Sequence, residues 1–509
     1  MSDDVLTLLP FVLVVATALL VILVDLFWPR RNELVMAVGL GGLSVALVAT
    51  LVIGPMPWDF GAFSEASSFG DPALYTRDLL TSLLDFTLIA IGILTLLFAP
   101  DYLTPRKLPL AEFAATLIFA ISGGMLIAGG QDVLVLFIGL ELLVLPGYLL
   151  AGFAKRDGLS TEGAIKYFLL GSFSSAILLF GLAFVIGFTG NTQLAGIADA
   201  LSGVLEGNAA LPLALAMGLA LLAVGVLFKI AAVPFHYWTP DAYQGSPTPV
   251  TGYLSVGPKI AAFALILRIF VEALGPLRGE WALIVGVLAG LTMTVGNLAA
   301  LGQDNIKRML AYSSIAHTGY MMVGLVVFAT AEDPLVAASG VQAVLFYAVA
   351  YAFMNLGAFA VVAALQRRPG ITSQISTFAG LGYRAPVLAL AMTVFLLSLV
   401  GIPPLAGFFA KMTVVLSALE VGGPMTLLAV LMMLNAAMAA FYYLRVVVYM
   451  YMRKPEGDAA EVSVGTVTRV GLIVAAAAVI VIGLVPPVTG GILDWTEAAA
   501  QGLVALIDF

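Results

Sequence analysis

The sequence predicts an all-α polytopic membrane protein, and three observations carry that prediction. Hydrophobic residues make up 61% of the 509-residue chain and charged residues only 10%, where a soluble domain carries about a quarter charged; the mean hydropathy is +1.09. Apolar runs of about 20 residues recur from end to end, each long enough to cross a hydrocarbon core of roughly 30 Å. The basic residues between those runs alternate from loop to loop. A β-barrel is excluded, because its strands would alternate polar and apolar residues in short segments.

The runs give fourteen spans, taken in order. Spans 1 (5–27) and 2 (33–54) flank a loop with Arg30 and Arg31. The first run lacks a basic n-region and a small-residue cleavage site, so it reads as a span rather than a signal peptide. The second loop is acidic (Asp59, Glu65, Asp71) and leads to span 3 (79–99). Arg106 and Lys107 precede span 4 (110–130), Asp132 opens span 5 (132–153), and Lys155 and Arg156 precede span 6 (161–189). Glu206 precedes span 7 (210–245); the next loop, near 244–248, has no basic residue and leads to span 8 (247–272). Span 9 (281–302) is followed by Lys307 and Arg308 at the start of span 10 (306–330), then by Glu332 and Asp333 before span 11 (335–365). Arg367, Arg368 and Arg384 precede span 12 (386–421), and Glu420 lies before span 13 (424–452). Arg453, Lys454 and Arg469 flank the entry to span 14 (467–487). Odd loops are basic and even loops acidic, with only Arg77 and Arg278 against the pattern. The positive-inside rule then puts the odd loops in the cytoplasm and both termini outside. The net charge of −8 says little more, since charge in such a protein is organised by side.

Two spans are too long. Residues 210–245 and 386–421 each run about 36 residues where roughly 20 suffice, and each has proline near its middle: Pro234 in "AAVPFHYW", and Pro403 with Pro404 in "GIPPLAGFFAK". Proline removes a helix hydrogen bond and clashes with the preceding turn. At membrane depth such a break persists only where protein or a wet cavity satisfies the freed carbonyls. The two spans are numbers 7 and 12, five apart. Spans 4–8 and 9–13 therefore form two five-helix units. Because five is odd, the second unit starts on the opposite side, as an inverted-topology repeat with a broken fourth helix in each copy. The organisation predicted is 1–109 (spans 1–3), 110–273 (first repeat), 280–454 (second repeat) and 455–509 (a loop, span 14 and a tail).

Ionisable residues inside spans are costly and mark function. Counting inward at about 1.5 Å per residue, Glu141, Lys229 and Lys259 lie near the middle of spans 5, 7 and 8. His317 lies slightly cytoplasmic of centre in span 10, and His236 just inside the break of span 7. Lys411 reaches the middle if its span is unwound, and Lys166 lies nearer the cytoplasmic face. One carboxylate cannot neutralise three central lysines. A lysine in an apolar layer without a counter-charge favours its neutral form, so it exchanges protons near neutral pH as an exposed lysine does not; histidine is poised there already. With Tyr312, Ser313, Ser314, Thr318 and water, these groups predict a proton relay lying in the membrane plane. Structural ion pairs and snorkelling side chains are the competing reading, strongest for His236 and Lys166. Arg268 and Arg445, near span ends, are expected to snorkel to headgroups. Asp25 and Glu112 read as interfacial, and Asp85 has no assignable partner. With no cysteine in the chain, disulfides, thiolate metal sites and cysteine-held clusters are excluded. There is no phosphate-cradling glycine loop, no paired-histidine pattern for haem, and no soluble domain for a flavin or nucleotide.

At these residues a resemblance emerges. "KIAAVPFHYWTPDAYQGSPTPVTGYLSVGPK" (229–259), "RMLAYSSIAHTGYMM" (308–322) and "GIPPLAGFFAK" (401–411) resemble the antiporter-like membrane subunits of respiratory complex I, the proton-pumping NADH:quinone oxidoreductase. The "DAYQGSPTPVTGYLS" stretch and Lys411 look like the N-type, ND2-like branch; no long lateral helix of the L type is expected after span 14. The resemblance implies that Glu141 pairs with Lys229, that Lys259 is the central relay residue, and that Lys411 connects to one side of the membrane. It also implies that His317, and with less definition His236 and Lys166, belong to the same chain of groups. It implies a bacterial inner membrane location and no cofactor, metal or redox centre in this chain. The partners implied are an M-type antiporter-like subunit, the small K-, J- and A-type subunits, membrane lipids and protons, with no nucleic acid. A subunit of a multisubunit sodium–proton antiporter, and a non-conducting structural subunit, are the alternatives.

Overall fold

The computed structural model describes residues 3–57, 66–206, 211–454, 462–484 and 491–507. Asp59 and Glu65 of the second loop, and residues 455–461 at the start of the last predicted segment, lie outside these. The fold is almost wholly helical: α1 (Asp3–Phe27), α2 (Asn32–Ile53), α3 (Leu79–Leu103), α4 (Leu110–Gly129), α5 (Val133–Ala151), α6 (Gly158–Thr189), α7 (Leu194–Glu206), α8 (Leu213–Lys229), α9 (Trp238–Gly245), α10 (Thr248–Ile266), α11 (Arg278–Leu301), α12 (Ile306–Thr330), α13 (Pro334–Leu365), α14 (Leu381–Arg384), α15 (Pro386–Val400), α16 (Ala406–Val421), α17 (Pro424–Met452), α18 (Thr466–Leu484) and α19 (Ile492–Val504). Among the described residues, twelve helices are long and apolar enough to cross a membrane. The two predicted long spans are each two shorter helices: α8 and α9 around Pro234, and α15 and α16 around Pro403 and Pro404.

Several loop acids turn out to start helices. Asp78, Asp132, Asp157 and Asp333 each accept a backbone N–H of the first turn of α3, α5, α6 and α13, and Asn305 does so for α12. A short side-chain acceptor there satisfies donors that have no intrahelical partner and sits at the positive end of the helix dipole.

Burial sorts the helices. The apolar stretches of α10 and α13 are buried throughout, whereas that of α2 is only 22% buried. With α12, these two form the centre of the molecule, and α1, α2, α6, α17 and α18 face outward. Small residues let the centre close up. A Cβ on Gly319 would lie 2.5 Å from the backbone nitrogen of Met293, and one on Gly296 2.6 Å from that of Ala316. The backbones of α11 and α12 therefore approach as membrane helices do when small residues face each other.

Three features depart from the sequence expectation. A two-stranded hairpin, β1 (Ser67–Phe69) with β2 (Tyr75–Arg77), and the short helices α7, α14 and α19 were not predicted; their apolar runs are too short to register as spans. Arg77, one of the two residues against the charge alternation, is not a loop charge. It is fully buried, 3.3 Å from Asp85, and its Nε donates to the Thr7 carbonyl. Asp85 thereby has the partner the sequence left unassigned. Arg268 does not snorkel. It is fully buried at the end of α10, where the helix continues as a π-helical segment (Leu267–Ala273), and pairs with Asp78 at 2.8 Å and Glu272 at 3.0 Å. A membrane arginine with two carboxylates in reach is held inside rather than drawn to the surface.

Candidate functional site

Lys259 sits on the most enclosed helix, α10, and is 3% exposed. Its Nζ donates to both the backbone carbonyl and the hydroxyl of Ser314 on α12, each at 2.6 Å, and lies 5.7 Å from the centre of the Tyr351 ring. No carboxylate pairs with it among the described residues.

His317 lies one turn further along α12, fully enclosed. Its Nδ1 is 2.7 Å from the Tyr347 hydroxyl of α13, and its Nε2 is 3.1 Å from the Tyr443 hydroxyl of α17. Tyr443 in turn hydrogen-bonds Ser313. Both ring nitrogens thus meet hydroxyls, which donate or accept, so either tautomer is accommodated. The neighbouring Thr318 donates at 2.8 Å to the Ile230 carbonyl, in the break after α8. The break is also held by Thr292 of α11, which accepts from the Val233 N–H at 3.0 Å.

Lys411, near the start of α16, reaches back across the second break. Its Nζ donates to the carbonyls of Leu399 at 2.9 Å and Val400 at 2.7 Å, the last residues of α15, and lies 5.5 Å from the Tyr320 ring centre. The Tyr320 hydroxyl accepts from Asn297, which also contacts Asn435 and Tyr442.

Lys229 ends α8. Its Nζ donates to the Ser175 hydroxyl at 2.8 Å and to the Gly171 carbonyl at 3.3 Å, both on α6. Glu141 lies on α5, which packs against α6. No ion pair joins it to Lys229, and Glu141 Oε1 is buried without a hydrogen-bond partner.

The last two predicted residues lie apart from these. Lys166 belongs to a partly exposed ionic cluster: it bridges Glu162 at 2.6 Å and Asp241 of α9 at 2.7 Å, and Asp241 also holds Arg308 of α12 at 2.6 Å. Tyr312 lies under the Arg308 guanidinium, in that cluster rather than in the lysine layer. The buried Lys307 closes the same region by donating to the Gln244 and Ser246 carbonyls at the end of α9, where a cation complements the helix terminus. His236 stacks on Tyr237, with Nδ1 buried and unpaired.

The structure therefore brings Lys259, Ser314, His317 and Lys411 around α12, and Lys229 against Ser175 and Gly171 of α6 at the start of the first break; no ion pair joins Glu141 to Lys229 among the described residues. It adds residues the sequence reading passed over: Tyr347, Tyr351, Tyr443, Asn297 and Ser175. Tyr347 and Tyr351 are four apart on α13, a spacing that puts both hydroxyls on one face. Hydroxyls of Tyr148, Tyr253 and Tyr351 and the Asn355 carbonyl are buried without partners. Buried polar atoms are normally bonded to protein or water, so this region has unused hydrogen-bonding capacity.

The chain as a whole is similar to known proteins. Residues 130–439 match the family model described as NADH:quinone oxidoreductase/Mrp antiporter, transmembrane. A curated relative from Trichlorobacter lovleyi, NADH-quinone oxidoreductase subunit N, is 39% identical over 497 residues, covering 97% of this chain and 96% of its own. A chain of respiratory complex I from Thermus thermophilus superposes with a TM-score of 0.74 at 30% identity, covering 94% of this chain and 98% of that one. A chain of the Mrp complex from Dietzia shares the fold, with a TM-score of 0.80 at 20% identity and full coverage of both. The chain belongs to the NADH:quinone oxidoreductase/Mrp antiporter membrane family, in its NADH-quinone oxidoreductase subunit N branch.

Proposed function

We propose that the chain is the N-type, proton-translocating subunit in the membrane arm of an NADH:quinone oxidoreductase, and that its protons pass along Glu141, Lys229, Lys259, His317 and Lys411. The observation that carries this reading is the set of three buried lysines held by hydroxyls and carbonyls instead of carboxylates. Lys259 and His317 are one turn apart through Ser314, and Thr318 ties the same turn to the break beside Lys229. A static ion pair would neutralise each lysine; hydroxyl and carbonyl partners leave the proton exchangeable. Unpartnered hydroxyls nearby supply positions for bridging water. Helices α4–α10 and α11–α17 form the two inverted repeats in this reading, with odd loops cytoplasmic and both termini periplasmic. Lys166 and Asp241 serve the cytoplasmic mouth, and His236 serves the break.

The cycle is electrostatic. Quinone reduction in other subunits changes the charge beside Glu141 and alters its hold on Lys229. An ammonium stripped of its counter-charge in a low-dielectric layer is the species that yields its proton, here toward Lys259 and Lys411. Moving one charge against 100 mV costs about 2.3 kcal/mol, within the range of one altered pairing. The chain itself carries no flavin, cluster or quinone chemistry, and it works beside an M-type subunit and the small K-, J- and A-type subunits.

Lys229→Ala and Lys259→Ala test this in inverted membrane vesicles containing the whole complex. Both variants should assemble and lose proton uptake coupled to NADH oxidation; full proton-to-electron stoichiometry in both overturns the relay. The shared Mrp-type fold favours sodium–proton exchange as the second reading, and sodium-dependent exchange by the complex, independent of NADH, would establish it instead.

A further inference from the structure

We propose that Ser175, with the Gly171 carbonyl, is a second seat for the Lys229 amine: a positioning residue that holds Lys229 whenever Glu141 does not. The inference rests on the relay reading above. Its starting point is the separation of the expected pair. Lys229 Nζ is 2.8 Å from Ser175 Oγ and 3.3 Å from Gly171 O, while Glu141 Oε1 is buried with no partner.

The chemistry of the two seats differs. A carboxylate only accepts hydrogen bonds, so Glu141 holds the protonated amine. A serine hydroxyl both accepts and donates. It accepts from the ammonium, and after the proton leaves it rotates to donate to the lone pair of the neutral amine. The Gly171 carbonyl accepts an N–H from either form. Ser175 thus meets both the ammonium and the lone pair of the neutral amine, whereas Glu141, an acceptor only, offers that lone pair no donor.

The seat is rigid. Ser175 is 5% exposed, and the adjacent Ser174 hydroxyl is already committed to the Gly225 carbonyl of α8 at 3.2 Å. A Cβ on Gly225 would lie 2.5 Å from that of Leu178, and one on Gly181 2.7 Å from the Leu222 nitrogen. Helices α6 and α8 are therefore in close contact, and Ser175 and Lys229 keep their relation. Glu141 belongs to a different tight pair: a Cβ on Gly123 of α4 would lie 2.3 Å from the Leu143 nitrogen of α5. Pairing Glu141 with Lys229 requires a side-chain swing between the two helix pairs. The space beside the seat is bounded by Tyr148, whose unpaired hydroxyl would be 2.2 Å from a Cβ on Gly171.

The test uses Ser175→Ala, Ser175→Thr and Ser175→Asp in the assembled complex, with assembly followed on native gels and proton uptake per NADH measured in inverted vesicles. Ser175→Ala should assemble and lower coupled turnover about fivefold, the equivalent of one net hydrogen bond of about 1 kcal/mol. Ser175→Thr, which keeps the hydroxyl, should restore it. Ser175→Asp, which turns the seat into a second carboxylate, should hold the ammonium and stop proton uptake while NADH oxidation by an artificial acceptor continues. On a Lys229→Ala background, Ser175→Ala should cause no further loss of residual turnover, whereas a purely structural role would add to it. Full proton uptake by Ser175→Ala, or an equal further loss on the Lys229→Ala background, overturns the second seat. If Lys229→Ala itself pumps fully, the relay reading fails, and that outcome is distinct.

Discussion

The Lys411 side chain closes the helix that precedes its own: its Nζ donates to the carbonyls of Leu399 and Val400, the last two residues of α15. Those carbonyls have no partner within α15, and the negative end of the helix dipole lies there. One amine therefore both stabilises the second break and stands in the proposed proton path. Lys411→Met should leave the buried Leu399 carbonyl unpaired, at about 1–3 kcal/mol, and the part-buried Val400 carbonyl without its partner. The expected outcome is a lower midpoint of thermal inactivation for the complex together with lost proton uptake. Lys411→Arg, which keeps the donors and the charge, should recover the thermal midpoint but not proton exchange, because arginine does not give up its proton.

Ser314 offers Lys259 both its hydroxyl and its carbonyl. Ser314→Ala removes only the first. Proton-coupled turnover should fall several-fold, less than in Lys259→Ala, with native-gel assembly unchanged. A loss equal to that of Lys259→Ala would mean that the hydroxyl, rather than the amine, is the indispensable group.

His317 bonds Tyr347 and Tyr443 through its two ring nitrogens. Tyr443→Phe should remove one of these bonds and that to Ser313, and reduce coupled proton uptake while leaving NADH oxidation by an artificial acceptor intact. His317→Phe should do the same more strongly, as measured in vesicles by the ratio of proton uptake to NADH consumed.

Arg77 and Asp85 form a fully buried pair. Removing one partner leaves an uncompensated buried charge, at a cost of about 3–5 kcal/mol. Arg77→Met and Asp85→Leu should each reduce the amount of assembled complex on native gels, and the double variant should recover much of it. Normal assembly of both single variants would refute a structural role for the pair.

Gly319 of α12 packs against the α11 backbone at Ala289 and Met293, and Gly296 of α11 packs against the α12 backbone at Tyr312 and Ala316. A side chain at either position meets backbone, which cannot rotate away. Gly319→Leu should prevent assembly, as shown by loss of the complex from membranes, because overpacking here separates the helix that carries Ser314 and His317 from its neighbour.

The sequence by itself determined the solvent and the layout. Apolar runs and alternating loop charge are properties of consecutive residues, so the membrane class and most helices were legible. So were the breaks at Pro234 and Pro403–Pro404, because proline acts on its own turn. The ionisable residues stood out for the same reason: each is costly in an apolar run whatever it later touches. What each one touches was decided by tertiary structure. Glu141 and Lys229 are 88 positions apart in the chain, and helix rotation turned Lys229 toward Ser175. Arg268 read as a snorkelling end residue until Asp78, from another helix, came within 2.8 Å. Lys166 was placed in sequence only by its depth near the cytoplasmic face; its contact with Asp241, on a different helix, came from the packing of α6 against α9. The tyrosines around His317 are unremarkable apolar-aromatic residues in sequence, and only the meeting of α12, α13 and α17 gives their hydroxyls a common target. Hydropathy reports how each residue meets lipid or water along its own helix. Partner choice depends on helix rotation and contact over long sequence separations, which one-dimensional patterning does not encode.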